Sequence, residues 1–350
     1  MRGRGFAAAL ALLAGVAGGA GTAGAAQAAD CLQPAVQARW DQLGGAAGPL
    51  GPLTACEQPT ATGTFATFRS GAVYWSPASG AWDVSGSFRD LWASTGWENG
   101  FLRYPTSGES RIARGGVFQG YQGGTLYWSP GTAAHSVTGS FLQLFASLGY
   151  ENGFLGYPTS QEVPIRGGVF QLFQGGVAYW SPSTGAHTVS GSFRDVYART
   201  GYEGGCLGYP ATQELPTTGG GVYQRFQGGT AYWSPASGAH ALCGAFLEAY
   251  ATTGYENGSL GYPVSDEHPV TGGLRVDFQR GFVEWSAATG ALVNRTVASV
   301  TAPAPTPAPP SGTYYANCAA ARAAGAAPLY RGEPGYRPAL DRDGDGVACE

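Results

Sequence analysis

The chain has 350 residues, of which 12% are charged and 13% aromatic, and its formal net charge is -4. This balance excludes the basic surface that nucleic-acid binding requires. The aromatic content is too high for a disordered chain and can fill a core, and the length allows two or three domains.

Residues 1–29 have the pattern of a signal peptide. Arg2 and Arg4 give a positively charged start, residues 6–16 are apolar, and residues 26–28 read Ala-Gln-Ala, a small-x-small cleavage site. No later run approaches the roughly 18 apolar residues of a transmembrane helix. We therefore expect a secreted, extracellular protein without a transmembrane segment.

The segment at 153–187 recurs through the chain with edits, and such a period decides the fold class. The Trp of a YWS-type tetrapeptide marks the phase, with spacings of 53, 52, 53 and 52 residues. These residues are Trp75, Trp128, Trp180, Trp233 and Trp285. Five units of about 52 residues therefore fill residues 30–293.

Each unit predicts a helix, a loop and a hairpin in that order. In the fourth unit residues 191–198 carry apolar side chains at helical spacing, with Ser192 as the expected N-cap, and Gly201 ends the helix. A loop with an LGYP-type motif follows. In the third unit the hairpin spans 169–180, and Gly176 stands where a two-residue turn requires a positive φ.

The predicted fold class is mainly β with short helices, an α+β repeat. One unit holds too little core to fold alone, so neighbouring units must stack. The stack is either an open solenoid or a closed, propeller-like ring of pseudo-fivefold symmetry, and the mild edits in the first and last units favour the ring. A Pro-rich linker at 294–312 then precedes a small separate module at 313–350.

The Tyr-Trp pair of each YWS motif raises the question of which ring is buried, because adjacent strand residues point to opposite faces. All five units keep the Trp, whereas Glu284 replaces the Tyr in the fifth unit, and a charge is costly in a core. We therefore predict that Trp faces the core. The tyrosines predicted on the more accessible face are Tyr74, Tyr127, Tyr179 and Tyr232.

Two other polar positions recur in phase. The first holds His135, His187 and His240, and the second holds Glu57, Glu109, Glu162, Glu214 and Glu267. Trp82 and Leu292 replace the histidine in units one and five, which favours packing over metal binding or catalysis. We expect the glutamates to accept bonds from backbone N–H groups of the following Gly-rich turn, with sugar hydroxyl binding as the alternative.

The loop after the helix is the best ligand candidate in units two to five. An aromatic face can stack on a sugar while carboxylate and amide groups bind its hydroxyls. The alternative is a plain turn with the aromatic ring packed inward. The candidates are Trp97, Glu98, Tyr150, Glu151, Asn152, Tyr202, Glu203, Tyr255, Glu256 and Asn257. Unit one reads Gly-Ala-Ala at 45–47 and lacks this site.

The cysteines indicate disulfides, because the chain is expected to be exported and holds six of them. Six cysteines allow 15 connectivities. Each candidate pair lies within one unit or within the C-terminal module, and the other units carry no Cys at the positions of the first four cysteines. Position within the repeat therefore favours disulfides inside single units and inside the module. The favoured pairs are Cys31 with Cys56, Cys206 with Cys243, and Cys318 with Cys349.

The end of the chain carries a candidate calcium site. Asp341, Asp343 and Asp345, with a Gly next, have the oxygen-ligand spacing of an EF-hand loop. Hard carboxylate oxygens suit Ca²⁺. Glu350 lies nine residues after Asp341, two short of the usual bidentate glutamate, so the loop is truncated.

Two family resemblances follow from these motifs. LGYPTSQE followed by GGVFQLFQGGVAYWSPSTGAH resembles the LGFP repeat of actinobacterial cell-envelope proteins in all five units, with Tyr in place of Phe. The final segment, with Cys318, a Gly-Tyr-Arg at 335–337 and the closing Cys-Glu, resembles the Excalibur domain, an extracellular calcium-binding module. The resemblances imply a secreted, wall-associated protein that takes Ca²⁺ on the same acidic residues.

We expect no enzyme. Repeats, linker and module occupy every residue after the signal, no G-x-S-x-G or H-E-x-x-H motif is present, and the repeated carboxylates are near-equivalent copies. The sequence favours a monomeric protein that binds cell-wall polysaccharide or peptidoglycan through several weak sites. The alternatives are a structural or adhesive envelope protein that binds another protein, and an accessory part of a cell-wall hydrolase or acyltransferase system.

Overall fold

The computed structural model describes residues 31–294 and, in the C-terminal part, residues 315, 317–330, 335–337, 340 and 347–349. The chain divides into two compact units, the first ending at Arg295 and the second beginning at Thr296. The predicted signal peptide and the Pro-rich stretch after Asn294 lie outside the described residues.

Residues 31–294 of the first unit contain five helices of nine residues, each followed by a left-handed glycine as predicted. The helices are α1 Pro34–Gln42, α2 Gly86–Ser94, α3 Gly139–Ser147, α4 Gly191–Arg199 and α5 Gly244–Thr252. The glycines that follow are Gly44, Gly96, Gly149, Gly201 and Gly254, with φ between 88° and 96°. A 3₁₀ turn comes next in each unit: Gly45–Ala47, Trp97–Asn99, Tyr150–Asn152, Tyr202–Gly204 and Tyr255–Asn257.

Five antiparallel sheets of four strands alternate with the helices, and neighbouring strands in each sheet are consecutive in sequence. The first two sheets are β1 Leu53–Pro59, β2 Thr64–Phe68, β3 Gly71–Ser76, β4 Gly80–Ser85, and β5 Ser110–Arg111, β6 Val117–Tyr121, β7 Gly124–Ser129, β8 Ala133–Thr138. A further 3₁₀ turn, Ala113–Gly115, lies between β5 and β6. The third is β9 Val163–Ile165, β10 Gly168–Phe173, β11 Gly176–Ser181, β12 Gly185–Ser190. The last two are β13 Leu215–Pro216, β14 Val222–Arg225, β15 Gly229–Ser234, β16 Gly238–Cys243, and β17 His268–Val270, β18 Gly273–Phe278, β19 Gly281–Ser286, β20 Gly290–Asn294.

The predicted hairpin is the central strand pair of each sheet, and the two outer strands were not predicted. In the second compact unit, α6 Cys318–Ala323 precedes a short antiparallel pair, β21 Leu329–Tyr330 with β22 Val347–Ala348. The chain is thus mainly β, with one short helix in each repeat.

Each inner helix packs between two successive sheets. Around α4, Tyr179 and Val189 of the third sheet form one buried cluster with Phe193 and Tyr197 of the helix, and Trp233 of the fourth sheet packs against its edge. The same grouping recurs around α2, α3 and α5. In a single unit one face of the sheet would be uncovered, because the helix that covers it belongs to the next unit. This explains why the units stack.

The burial of the Tyr-Trp pair is the reverse of the prediction. Tyr74, Tyr127, Tyr179 and Tyr232 are only 4–7% exposed, whereas the tryptophans are only partly buried. The tyrosines lie under the helix of the following unit; for example, the rings of Tyr179 and Tyr197 meet edge to face at 5.2 Å. Glu284 is tolerated because, within residues 31–294, no helix follows the fifth sheet. Its charge therefore gave no information about the other four units.

Two local predictions also need correction. The hairpin glycine is required for close approach, because a Cβ at Gly229 would lie 2.5 Å from the carbonyl oxygen of Leu242. Of the five equivalent glycines, Gly281 alone has a positive φ. The fourth helix begins at Gly191 with Ser190 as its N-cap, and neither Ser190 nor Ser192 caps it through a side chain.

No ring closure is detected among the described residues. The cluster around α1 draws all its members from residues 31–81, with none from the fifth sheet. At the position where α4 buries Val196 against the preceding sheet, α1 carries Arg39, which binds Asp83 at 2.6 Å. At the other end Arg275 lies 3.5 Å from Glu284. Both ends of the array thus carry charged residues where inner units are apolar, as terminal repeats do.

The three favoured disulfides are present. They join Cys31 to Cys56, Cys206 to Cys243 and Cys318 to Cys349, with Cα–Cα distances of 5.0, 6.0 and 5.0 Å. Each bond joins two cysteines of a single repeat or of the C-terminal module. Disulfides of this kind persist in oxidising compartments outside the cytosol.

Candidate functional site

The loops predicted to bind a ligand begin with an aromatic residue in the left-handed region. Trp97, Tyr150, Tyr202 and Tyr255 have φ between 54° and 58°. This conformation costs an L residue about 1–2 kcal/mol. Gly45 occupies the same position in unit one with φ 60°, so glycine satisfies the backbone conformation required here. The four aromatic residues are therefore kept against the local conformational preference.

The tyrosine rings of these loops do not pack inward. Tyr150, Tyr202 and Tyr255 are 45%, 50% and 43% exposed. Each keeps one edge on the helix aromatic beneath it, as Tyr202 does with Tyr197 at 5.8 Å between ring centres. Such edge-to-face contacts hold a ring in place while one face remains open to solvent. Trp97 is less exposed and lies 6.2 Å from the Tyr74 ring, nearly parallel to it.

The glutamate after each aromatic residue is oriented by its neighbour. Asn152 donates to Glu151 at 2.8 Å, and the equivalent bonds at Glu98 and Glu256 measure 2.9 and 3.0 Å. Glu151 is only 5% exposed, whereas Glu98, Glu203 and Glu256 are partly exposed. In the fourth unit Gly204 replaces the asparagine, so Glu203 has no such donor beside it. Glu203 is therefore the most available acceptor of the four.

The loops of units four and five form the rim of a recurring cavity, here called the Tyr groove, between one sheet and the next helix. Between the third sheet and α4 its volume is about 750 Å³, with Tyr202 and Glu203 on the rim. Phe170 and Tyr179 line the floor, and they are directly opposite each other on β10 and β11. A counterpart of about 550 Å³ between the fourth sheet and α5 has Tyr255 and Glu256 on its rim, with Tyr223 and Tyr232 as its floor.

The floor tyrosines remain protonated hydrogen-bond donors at neutral pH. Burial, with the Glu203 carboxylate nearby, raises the pKa of Tyr179 to about 12. Burial and Glu98 raise the pKa of Tyr74 to about 12 as well. A Tyr groove therefore combines an exposed aromatic face, a carboxylate acceptor and a hydroxyl donor.

The sequence identified the rim of the groove but missed its floor and its wall. Phe170, Tyr179 and the helix residue Arg194 line the cavity, and none was a candidate. The period-two alternation of β10 and β11 could have placed Phe170 beside Tyr179. The neighbouring helix could not have been placed from this pattern, because it belongs to the next unit.

The recurring glutamates after LGYP bind side chains rather than the Gly-rich turn. Glu214 accepts a bond of 2.5 Å from the hydroxyl of Ser190, the N-cap residue of α4, and Glu109 accepts one of 3.2 Å from Ser85. Thr138 and Glu162 form the same pair. In unit one the backbone N–H of Gln33 donates to Glu57 at 2.7 Å. The predicted acceptance from the turn is therefore wrong.

The recurring histidines form a hydrogen bond rather than simple packing. Ring Nε2 of His187 lies 3.0 Å from the carbonyl oxygen of Thr184, and His240 makes the same contact with Ser237 at 2.9 Å. In unit one the indole N–H of Trp82 donates to the equivalent carbonyl at 2.7 Å. The position holds an N–H donor for the turn between the last two strands.

The predicted calcium ligands Asp341, Asp343, Asp345 and Glu350 lie outside the described residues. The described chain reaches β22, which directly follows the acidic segment and pairs with β21. Within the described ranges, no group of three or more His, Cys, Asp or Glu is suited to a metal ion. No helix in this part of the chain has the length and hydrophobicity to cross a membrane.

Comparison with known families decides the membership of the chain. The LGFP repeat matches residues 50–100, 102–153, 155–205, 207–258 and 260–297, which is more than half of the chain. The chain belongs to the LGFP-repeat family. The Excalibur calcium-binding domain matches residues 315–350. A matched LGFP unit begins at the leucine of the LGYP-type motif and, in the first four units, includes the next helix. Each inner buried cluster therefore joins residues of two successive matched units.

Similarity to solved structures is low. The extracellular domain of a putative one-component system from B. thetaiotaomicron matches 71% of this chain and 31% of its own length, with 14% identity and a TM-score of 0.14. The chain thus spans less than a third of that protein. Virginiamycin B lyase from Staphylococcus aureus matches 68% of each chain at 5% identity and a TM-score of 0.13. No curated protein matches the sequence.

The family matches and the disulfides together indicate an extracellular repeat protein whose C-terminal module matches a calcium-binding family.

Proposed function

We propose that this LGFP-repeat protein is a non-catalytic, monomeric cell-wall protein that binds wall polysaccharide or peptidoglycan in its Tyr grooves. One observation carries the proposal: the loop aromatics keep a strained left-handed backbone and still expose their rings. Strain of this kind is retained where a side chain serves a ligand. Gly45 in unit one shows that the fold has a less costly residue for this position.

The chemistry of the groove suits a sugar. The open face of Tyr202 can stack on the apolar face of a pyranose, as aromatic rings in sugar sites do. The carboxylate of Glu203 can accept bonds from sugar hydroxyls, and the hydroxyl of Tyr179 can donate one. Each contact is weak, but several grooves on one scaffold add avidity when the ligand is a polymer.

A triple variant tests this function. Tyr150→Gly, Tyr202→Gly and Tyr255→Gly together remove the exposed rings and give each position the residue that its φ favours. We expect the variant to fold, and to remain in the supernatant when mixed with purified cell walls that retain the wild type. Leu292→Ala is the matched control, because it removes an apolar side chain that is 50% exposed on β20. Equal retention of the triple variant and the wild type would refute the proposal.

We also propose that the C-terminal module binds Ca²⁺. The support is the family match over residues 315–350 together with the spacing of Asp341, Asp343 and Asp345, whose hard oxygens suit this ion. Glu350 would complete the set. The ion would supply a rigid cross-link between these carboxylates, next to the Cys318–Cys349 bond.

A second function, binding of another envelope protein, is favoured by one observation. Phe101 and Phe154 follow the loops of units two and three and are 56% and 52% exposed. Exposed phenylalanines of this kind are common in protein interfaces. Phe101→Ser with Phe154→Ser should abolish such binding but leave retention by protein-free wall polysaccharide unchanged. Competition by soluble wall oligosaccharides separates the two functions, since a protein interface resists it.

A further inference from the structure

A second kind of cavity lies beside the first turn of α3 and of α4. At α4 its volume is about 310 Å³, and it opens between the first turn of the helix and the fourth sheet. Trp233, Glu214 and Ser192 line it. At α3 the equivalent cavity measures about 270 Å³ and is lined by Trp180 and Glu162. These cavities, here called Trp clefts, lie near the lower limit of small-ligand sites, roughly 300 Å³.

The groups around a Trp cleft have unused hydrogen-bonding capacity. Trp233 is partly exposed, and its indole N–H has no acceptor among the described residues. Glu214 uses one carboxylate oxygen for Ser190 and keeps the other oxygen free within the same part of the chain. Ser192 is exposed on the first turn of α4. An indole face, an N–H donor, a carboxylate and a hydroxyl thus surround one small space, and this combination suits a single sugar residue.

The Tyr groove and the Trp cleft adjoin each other at α4. Gly191, the first residue of the helix, lines both cavities. A Cβ at Gly191 would meet no other atom within 4 Å, so the space beside this residue is open. The backbone of Gly191 has φ 49°, which disfavours a larger residue that would divide them.

We propose that the Trp cleft is a second sugar subsite, and that one glycan chain crosses the start of α4 with neighbouring sugars in the Tyr groove and in the Trp cleft. This inference rests on the proposed glycan-binding function. It assigns a role to the indole N–H groups of Trp180 and Trp233, which have no acceptor among the described residues although both rings pack against buried clusters. It also explains why a carboxylate stands beside each of these indoles.

The indole signals of the intact protein provide a direct test. The protein is labelled with ¹⁵N and titrated with octasaccharide glycan strands released from peptidoglycan by a muramidase. We expect the indole N–H resonances of Trp180 and Trp233 to shift, each assigned from its absence in Trp180→Phe or Trp233→Phe. The indole of Trp82 is the internal control, because it already donates to Ser79 and should not move.

Affinity measurements complete the test. We expect the double Phe variant to bind the octasaccharide about tenfold more weakly, which corresponds to about 1.4 kcal/mol. Thermal melting checks that the retained rings preserve the fold. If both indole signals stay fixed at saturating octasaccharide while the Tyr→Gly triple variant loses binding, this inference is overturned and the proposed function stands. If the wild type binds no wall-derived glycan at all, both are overturned.

Discussion

Tyr209 donates a hydrogen bond of 2.8 Å from its hydroxyl to the carbonyl oxygen of Arg166, across the boundary between the third and fourth units. The hydroxyls of Tyr262 and Tyr104 cross the equivalent boundaries by hydrogen bonds with the side-chain hydroxyls of Thr217 and Thr60. The LGFP motif has Phe at this position, so the hydroxyl is an added link between units.

We expect Tyr209→Phe to lower the free energy of unfolding by about 0.5–1.5 kcal/mol, because one buried hydrogen bond is lost while the ring stays. Urea titration measures this difference. Tyr223→Phe is the control, since the Tyr223 hydroxyl has no hydrogen-bond partner among the described residues. An equal effect of the two substitutions would contradict the assignment.

Arg103 stands where the other units have glycine in the LGYP motif, and its φ is 56°. The equivalent residues Gly156, Gly208 and Gly261 have φ between 62° and 69°. Arg103→Gly should therefore raise the free energy of unfolding by about 0.5–1 kcal/mol, because relief of left-handed strain exceeds the added chain entropy. Differential scanning calorimetry detects this as a higher Tm. The reciprocal change Gly208→Ala should lower it, and a lower Tm for Arg103→Gly would be inconsistent with strain.

A buried glutamine in unit four lacks one partner that unit two provides. Gln119 and Gln224 are fully buried and each donates to two carbonyl oxygens. The Gln119 amide oxygen also accepts from Tyr121 at 3.2 Å, whereas the oxygen of Gln224 has no partner because Phe226 replaces that tyrosine.

We expect Phe226→Tyr to raise the free energy of unfolding by about 1 kcal/mol through this missing hydrogen bond, and Tyr121→Phe to lower it by a similar amount. Chemical denaturation of both variants gives the comparison. Destabilisation by Phe226→Tyr would show that the fourth unit has no room for the hydroxyl.

Asp266 provides an acid-dependent contact. Burial raises its pKa, but bonds from His240, the backbone N–H of Ala241 and Arg199 outweigh burial and lower the pKa from 3.8 to about 2. Because the folded value is below the unfolded one, this group stabilises the protein above about pH 4 and loses that effect as the pH falls towards 2.

Asp266→Gln should therefore flatten the decline of stability between about pH 5 and pH 2. Denaturation at several pH values measures the slope. Gln213→Asp is the matched comparison, since it places a carboxylate near His187, although Ser147 stands where Arg199 would supply the second partner. We expect Gln213→Asp to steepen the decline of stability with falling pH, but by less than Asp266→Gln flattens it. An unchanged slope for Asp266→Gln would exclude Asp266 as the source.

The calcium proposal predicts weak binding to the whole chain. After treatment with chelator, calorimetric titration should give a Kd of about 0.1–1 mM, the range of extracellular calcium modules. Asp343→Ala should abolish the heat of binding, whereas Asp195→Ala, on α4 in the repeats, should not. Binding that survives Asp343→Ala would place the ion elsewhere.

Sequence patterns within single units were sufficient to predict much of the fold. The period of the Trp residues defined the five units, the spacing of apolar side chains predicted the helices, and the phase of the cysteines predicted the disulfide pairs. These features depend on residues within one unit. The outer strand β9 was missed because it contains Pro164, which is typical of a loop or an edge strand.

The failures arise where one unit contacts the next. Whether Tyr179 or Trp180 is buried depends on α4, which belongs to the following unit, and the fifth sheet has no such helix within the described residues. The Tyr groove follows the same rule, because its floor comes from one unit and its rim from another. The positive φ of Tyr202 was not predicted either, since an aromatic residue gives no local signal for it.

The charged residues at the two ends of the array have a consequence for its growth. Among the five described units, Arg39 of α1 and Glu284 of the fifth sheet place charge at interface positions that are apolar in the inner units. An inner unit brings both halves of its interface with it, so it can be inserted or removed by duplication or deletion without altering either end. The number of grooves, and with it the avidity that the proposed function requires, can therefore change in evolution while the grooves themselves stay the same.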